Sequence, residues 1–133
     1  MSMVKPSTPA PVAPEDMLLG ALLRVPAEAI HRRLIADLNA AGFEGLRLPH
    51  MAVLQYPGPD GVRPSVLAER AGMSKQAMHQ LLNSLEGLGY VVRSDVPGEG
   101  RARVVRFTEQ GHAAYATVHH ILRSIEGEWR EQL

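Results

Sequence analysis

Residues 64–107 read PSVLAERAGMSKQAMHQLLNSLEGLGYVVRSDVPGEGRARVVRF, and they carry the strongest structural signal in the chain. Pro64 suits the first turn of a helix, because the N–H groups of that turn form no intrahelical bonds and the N–H that proline lacks is not needed there. The helix predicted over 65–71 is followed by Gly72, which adopts positive φ without a steric penalty. This first part of the stretch predicts a short helix that ends in a tight turn.

The second part of the stretch predicts a longer helix and a β-hairpin. Ser74 is a favoured N-cap for a helix that runs to about Leu88, and Gly89 ends it. Valine-rich segments at 90–94 and 103–107 predict two strands joined by a polar loop. Helix, turn, helix and hairpin in this order predict a winged helix-turn-helix. The fold class is therefore mainly α with a small β-hairpin wing (α+β).

Helical patterns continue on both sides of this unit. From Glu15, apolar residues recur at steps of three and four until Gly42, which suits a helix end. Pro26 lies inside this segment and lacks an N–H, so the first helix either kinks there or begins near it. A second short helix is predicted over 50–56. After Thr108, a suitable cap, a last helix carries one apolar stripe, formed by Tyr115, Val118, Leu122, Ile125 and Trp129.

The composition is that of an ordinary globular chain. With 133 residues, of which 45% are hydrophobic, the chain suits one domain. Residues 1–14 contain four prolines and little apolar bulk, so we predict a disordered tail there and a single domain over 15–133. The chain has no cysteine, which excludes disulfides, cysteine-based zinc sites and thiol switches within it.

The longest apolar run and the net charge limit the classes of partner. Residues 17–23 form an apolar run of seven, far below the roughly 20 that span a bilayer, so no membrane partner is expected. No signal peptide is visible, and the expected location is cytoplasmic. Basic and acidic residues balance at 14 each, and only residues 58–107 lean positive, with seven basic and five acidic residues.

The helix that starts after Ser74 has one apolar and one polar face. Its apolar stripe comprises Met78, Leu81, Leu82, Leu85 and Leu88. The opposite face carries Lys75, Gln76, His79, Gln80 and Asn83. Such side chains donate to and accept from base edges, whereas carboxylates would be repelled by phosphates, and this face has none until Glu86. The pattern favours insertion into the DNA major groove, although a merely solvated helix face has the same polarity.

The hairpin adds arginines to this picture. Arg101 lies at a thin, glycine-containing tip, which suits insertion into the negative potential of the minor groove. Strand alternation places Arg103 on the same side as Arg101, with Val105 continuing that side toward the core. Arg93 and Arg106 are interpreted as strand residues that keep the sheet soluble.

Two runs, LAERAGMSKQAMHQLLNSLEGLGYVVR at 67–93 and GRARVVRFTEQG at 100–111, resemble the multiple-antibiotic-resistance-regulator (MarR) family of bacterial transcription factors. The similarity extends more weakly from about Leu18 to the C-terminus. The resemblance implies an α-helical dimer that carries two winged helix-turn-helix lobes. It also implies binding to pseudo-palindromic operators, usually as a repressor. Many members release DNA when a small, often aromatic, ligand binds between the dimerisation and DNA-binding parts.

Carried over by position, the resemblance assigns the wing-tip contact to Arg101 and the recognition-helix contacts to Ser74, Lys75, Gln76, His79, Gln80 and Asn83. Arg103 is added as a DNA contact from the hairpin pattern. The family's wing has Asp-Pro before the tip and an aspartate two residues ahead of the arginine. Here Val96, Pro97 and Glu99 occupy these positions, and Glu99 can still brace Arg101 through a charge-assisted bond.

The resemblance also divides the domain. The DNA-binding lobe spans about 49–107, and dimerisation helices span about 15–41 and 108–133. Family members continue past the long helix that follows the wing into a further interface helix, whereas this sequence stops at Leu133. Either the dimer contact rests on Met17–Leu23 and on the stripe that ends in Trp129, or the sequence is a piece of a longer protein.

Other residues of the sequence bear on metal binding, catalysis and ligand binding. His112 and His119 lie on one helical face, but neither HxxxH nor HxxE spacing occurs, so no metal and no cofactor are expected. No nucleophile elbow, phosphate loop or paired carboxylates are found, so the chain is not expected to be an enzyme. A small-molecule effector pocket is expected near His31, His50 and Met51, which are also compatible with ordinary packing. The alternative functions are a winged-helix protein-interaction module and a ligand sensor without DNA binding.

Overall fold

The computed structural model describes residues 14–55, 60–95 and 103–132. Five α-helices, one 3₁₀ turn and three strands occur in this part of the chain. In chain order they are α1 (Pro14–Ala40), the 3₁₀ turn (Leu48–His50), α2 (Met51–Leu54), β1 (Asp60–Val62), α3 (Pro64–Ala71), α4 (Lys75–Gly87), β2 (Val91–Asp95), β3 (Arg103–Phe107) and α5 (Glu109–Gln132). The predicted fold class, helices with a small β wing, is confirmed.

The helix-turn-helix forms where the local chemistry predicts it. Pro64 is the first residue of α3, and Gly72 ends that helix with a φ of 65°. Ser74 caps α4, and its Oγ accepts a hydrogen bond from the backbone N–H of Ala77 at 3.1 Å. Gly89, with a φ of 89°, lets the chain leave α4 and enter β2. Three local choices thus set the angle between α3 and α4 and the start of the hairpin.

The sheet has one strand more than the sequence predicted. Its order is β1-β3-β2, and both neighbouring pairs are antiparallel. β1 falls in a Pro- and Gly-rich segment that the sequence marks as a chain break, and it is only three residues long. It forms because Val62 pairs with Val105 of β3, which is fully buried. A long-range partner, invisible to local pattern, overrides the turn chemistry.

The two long helices pack against each other, and α1 runs through Pro26 without ending there. Pro26 cannot donate to the carbonyl of Leu22, but Leu22 lies in an exposed turn where water can bond that carbonyl. The expectation that the helix begins near Pro26 is therefore wrong. Residues 1–13 of the predicted tail lie outside the described residues, and Pro14 already belongs to α1. The predicted helix over 50–56 is the 3₁₀ turn followed by α2.

The core lies where α1, α2 and α5 meet the winged lobe. Its largest fully buried side chains are Tyr90, Leu38, Leu54, Met78, Leu82 and Leu85. The Tyr90 hydroxyl donates to the carbonyl of Glu44 at 3.0 Å, which ties the end of α4 to the loop after α1. Burial raises the pKa of Tyr90 above its usual value. Among the described residues, no helix is long and apolar enough to cross a membrane.

Candidate nucleic-acid interface

Helix α4 separates its two faces as the sequence predicts, except that Leu88, assigned to the apolar stripe, follows the helix and is 38% exposed. Met78, Leu82 and Leu85 are fully buried. All five polar residues of the opposite face are exposed, namely Lys75, Gln76, His79, Gln80 and Asn83. Ser74 at the N-terminus is exposed too. Six of the predicted DNA-contacting residues therefore lie together on one solvent-facing surface, which we call the recognition face.

The C-terminal edge of the recognition face is bound to the hairpin by Arg93. Its Nε donates to Glu86 Oε2 at 2.9 Å, and its Nη2 donates to Asn83 Oδ1. The Arg93 side chain is only 16% exposed, so its role is structural, as the sequence suggested, but it binds α4 rather than merely keeping the sheet soluble. Sequence pattern missed this cluster because its two parts lie on different elements, and only the packing of β2 on α4 brings them together.

The described part of the wing carries one of the two predicted arginine contacts. Arg103 is exposed and forms an ion pair with Asp95, its partner across the hairpin, at 3.4 Å. Val105 and Phe107 are buried as predicted, and Val104 is buried as well. Arg101, together with Val96, Pro97 and Glu99, lies outside the described residues.

Behind the recognition helix, His50 is buried with both ring nitrogens bonded. Its Nδ1 accepts from the backbone N–H of Arg47 at 2.9 Å, and its Nε2 lies 2.9 Å from Ser84 Oγ. Since Nδ1 accepts, Nε2 carries the proton and donates to Ser84. Burial and the neighbouring Arg47 lower the pKa of His50 below its usual 6.5. The imidazole therefore links the 3₁₀ turn to the middle of α4.

The three predicted pocket residues do not share one cavity. His31 and Met51 line a cavity of about 110 Å³ between α1, α2 and α5. His50 instead lines an open cleft of about 810 Å³, whose other wall is the side of α4 that carries Gln80 and Ser84, next to the recognition face. The smaller cavity is below the roughly 300–1,000 Å³ of typical small-molecule sites, and the larger one lies within that range.

One surface away from the recognition face is strongly apolar. Five residues of the first half of α1 are between 55% and 68% exposed, namely Leu18, Leu19, Leu22, Leu23 and Val25. Trp129 near the end of α5 is 40% exposed. Most of these residues belong to the two segments predicted to form the dimer contact, Met17–Leu23 and the stripe that ends in Trp129.

No cluster of three or more histidine, cysteine, aspartate or glutamate side chains suited to a metal occurs in the described ranges. His112 lies edge-on to Phe107 with ring centroids 5.5 Å apart, and His119 lies 4.4 Å from the ring of Tyr115. These two histidines thus pack against aromatic rings rather than toward a common point.

The MarR family model matches residues 45–102, which contain the helix-turn-helix and part of the hairpin. No curated protein matches the chain. The chain is similar to solved structures of bacterial regulators over most of its length. Two of the structures described next, CouR and MepR, are less than 25% identical to this chain, so their similarity concerns the fold alone.

Three solved structures illustrate this similarity. CouR from Rhodococcus jostii, bound to p-coumaroyl-CoA, is 23% identical with a TM-score of 0.68, and the match covers 86% of this chain and 80% of CouR. A mutant of S. aureus MepR, bound to an oligodeoxyribonucleotide, is 17% identical with a TM-score of 0.66 over 86% of this chain and 83% of MepR. The MarR family protein RV2887 of Mycobacterium tuberculosis, in complex with salicylic acid, is 28% identical with a TM-score of 0.58, covering 86% of this chain and 84% of that protein.

Proposed function

We propose that this chain is a MarR-family regulator, namely a sequence-specific DNA-binding repressor that binds a pseudo-palindromic operator as a homodimer. The observation that carries the proposal is the recognition face of α4. It presents six polar side chains and no carboxylate between Ser74 and Asn83, on a helix whose other side carries the fully buried Met78, Leu82 and Leu85. A helix with these properties suits the major groove, where amide, imidazole and ammonium groups meet base edges and phosphates.

The N-terminus of α4 adds a phosphate contact to this picture. The first turn of a helix has backbone N–H groups without intrahelical partners, and they attract anions. The Ser74 hydroxyl accepts the hydrogen bond of the Ala77 N–H. The exposed Lys75 lies in the same turn as the other backbone N–H groups that lack intrahelical partners. Arg101 at the wing tip would enter the adjacent minor groove. The mutant MepR structure, which contains an oligodeoxyribonucleotide, supports DNA as the partner of this fold.

Dimerisation is supported by the exposed apolar residues of α1. Leu18, Leu22 and Leu23 would each lose most of their water-accessible surface against a second copy. Contiguous apolar surface of this kind marks an interaction site in a water-exposed protein. Two linked lobes can bind two half-sites one helical turn apart at the same time, and therefore bind the operator more tightly than a single lobe does.

A small-molecule effector is supported by the cleft beside α4. The solved CouR and RV2887 structures hold p-coumaroyl-CoA and salicylic acid, respectively. In this chain the cleft that contains His50 borders Gln80 and Ser84, so an occupant would touch the recognition helix directly. We propose that this cleft, rather than the small cavity of His31 and Met51, receives the effector.

The first experiment selects random duplex DNA with the purified protein, follows binding of the winning sequence across a salt series and measures mass by light scattering. A dimer that enriches a pseudo-palindrome, with log affinity falling steeply with log salt, supports the proposal. A protein that enriches no sequence and shows flat salt dependence is better described as a winged-helix interaction module.

The effector proposal is tested with salicylate as the probe. Gly87 lines the cleft and has no heavy atom within 4 Å of an added Cβ, so Gly87→Phe adds a ring at the rim of the cleft without a clash at the Cβ. Gly127→Phe, at an equally open position on α5, is the matched control. Salicylate is expected to weaken operator binding by the wild type and the control but not by Gly87→Phe. Equal responses from all three proteins would place the effector elsewhere.

A further inference from the structure

The Arg93 guanidinium limits what Asn83 can offer to a base. An arginine side chain has hydrogen-bond donors only, so the group that faces it must be an acceptor. The amide of Asn83 therefore turns its carbonyl oxygen to Arg93 Nη2, and its NH₂ group is left for other partners. The orientation of this amide follows from the chemistry of its neighbour.

The cluster around Arg93 is held in place before any DNA binds. Arg93 belongs to β2 and pairs across the sheet with Val105, which is fully buried. Its Nε donates a hydrogen bond to Glu86, which lies one turn along α4 from Asn83. Its side chain is only 16% exposed. A charge-assisted bond in such a position is stronger than a neutral one. Since the ordering cost is met in the free protein, the bond persists when Asn83 meets a base.

An asparagine that recognises adenine uses both ends of its amide. It donates from NH₂ to adenine N7 and accepts from the adenine N6 amino group. Arg93 takes one of the two lone pairs of the Asn83 oxygen and holds that oxygen toward β2, which disfavours the two-bond pair with adenine. Guanine presents two acceptors, N7 and O6, at the same edge, and an NH₂ group satisfies both.

We propose that Arg93 is a positioning residue that restricts Asn83 to a donor role, so that the base facing Asn83 is recognised as guanine rather than adenine. This inference rests on the proposed DNA-binding function and extends it to one base pair of each half-site. Arg93 also pairs with Glu86, the first carboxylate on α4 after the recognition face.

The test begins with DNA selection by the wild type and by Asn83→Ala. Asn83 is exposed, so its truncation leaves the fold intact, and the position whose base preference disappears in Asn83→Ala is the one that Asn83 contacts. At that position the wild type is expected to prefer guanine over adenine by about tenfold, the discrimination expected of one good two-bond contact. Replacing that guanine by 7-deazaguanine, which lacks the N7 acceptor, is expected to weaken wild-type binding and to leave Asn83→Ala unaffected.

Arg93→Met then frees the amide, because methionine keeps much of the side-chain bulk and removes the donors. The expected result is that guanine and adenine become nearly equal at that one position, while preferences elsewhere in the site persist. Glu86→Gln is the matched control, since it removes the ion pair but keeps the bond between Arg93 and Asn83, and it should retain the guanine preference. Arg93→Lys, which keeps a donor-only group, should lie closer to the wild type than Arg93→Met.

The outcomes separate the two proposals. If the wild type enriches no DNA sequence, both the proposed function and this inference are overturned. If the wild type enriches a site with adenine opposite Asn83, or if Arg93→Met weakens binding equally for every base, DNA binding stands and the role of Arg93 is refuted. Should Arg93→Met fail to fold by circular dichroism, the wild-type preference and the 7-deazaguanine result still decide the matter.

Discussion

His50 Nε2 lies 2.9 Å from Ser84 Oγ, so a buried imidazole joins the 3₁₀ turn to the recognition helix. The other ring nitrogen accepts the backbone N–H of Arg47 at 2.9 Å. The bond from Arg47 requires the neutral ring, because a protonated Nδ1 can no longer accept. Protonation of His50 would therefore break its contact with the 3₁₀ turn, while the Nε2 donor to Ser84 would remain.

We predict a pH dependence of stability that comes from His50. Its folded-state pKa lies below the ordinary 6.5, because burial and Arg47 disfavour the charged ring. The unfolded chain therefore binds the proton more readily, and the contribution of His50 is fully present above pH 6.5 and is lost as pH falls below that value. Urea unfolding between pH 7.5 and 5.5 measures this effect. His50→Gln should flatten the profile, whereas His120→Gln, an exposed control on α5, should not.

Ser84→Ala tests the same link at constant pH. The substitution leaves the His50 Nε2 donor without its partner, and a lost hydrogen bond of this kind costs about 1 kcal/mol. The midpoint of urea unfolding at pH 7.5 reports the loss. An unchanged midpoint would mean that water replaces the serine at no cost.

Gly111→Ala is predicted to be strongly destabilising. A Cβ at Gly111 would lie 1.9 Å from the carbonyl oxygen of Tyr90, so backbone atoms must move. Overpacking of this kind costs roughly 1–3 kcal/mol or more. Gly127→Ala, in the same helix but with open space around the added Cβ, should instead gain about 0.5–1 kcal/mol. Thermal unfolding of the two variants should therefore shift in opposite directions.

Glu128→Gln is predicted to weaken the contact between the two long helices slightly and in a salt-dependent way. Glu128 on α5 receives two hydrogen bonds from Arg33 on α1, one of them at 2.7 Å, and this pairing lowers its pKa below 4.5. Its contribution is present above that pH and is lost as pH falls further. Because the pair is exposed, high salt should abolish the difference from the wild type. Glu126→Gln, which breaks a pair with Arg130 within α5, controls for helix effects.

Arg101→Ala and Gln76→Ala are predicted to affect DNA binding differently. Arg101 at the wing is expected to meet phosphates and the minor groove, so its loss should weaken binding to every sequence and reduce the salt slope by about 1. Gln76 is expected to meet base edges, so its loss should relax preference at particular positions. Fluorescence anisotropy with operator and random duplexes across a salt series distinguishes the two. An Arg101→Ala variant with unchanged affinity and salt slope would refute the wing contact.

Local chemistry explains why so much of the helix-turn-helix could be predicted from sequence. Gly72, Ser74 and Gly89 act through their own backbone freedom or a bond to a residue three positions away, so no distant partner is needed. The exposed recognition face follows in the same way from helical periodicity, because the buried stripe fixes which side chains remain outside.

The sequence alone therefore determined the order of the helices, the caps, the hairpin and the polar face of α4. Tertiary structure decided the pairing of β1 with β3 and the bond from Arg93 to Asn83. It also decided that His50 lines a different cavity from His31 and Met51. Each of these depends on which elements touch, and contact between residues far apart in the chain is set by packing of the whole core, which periodicity and turn chemistry do not encode.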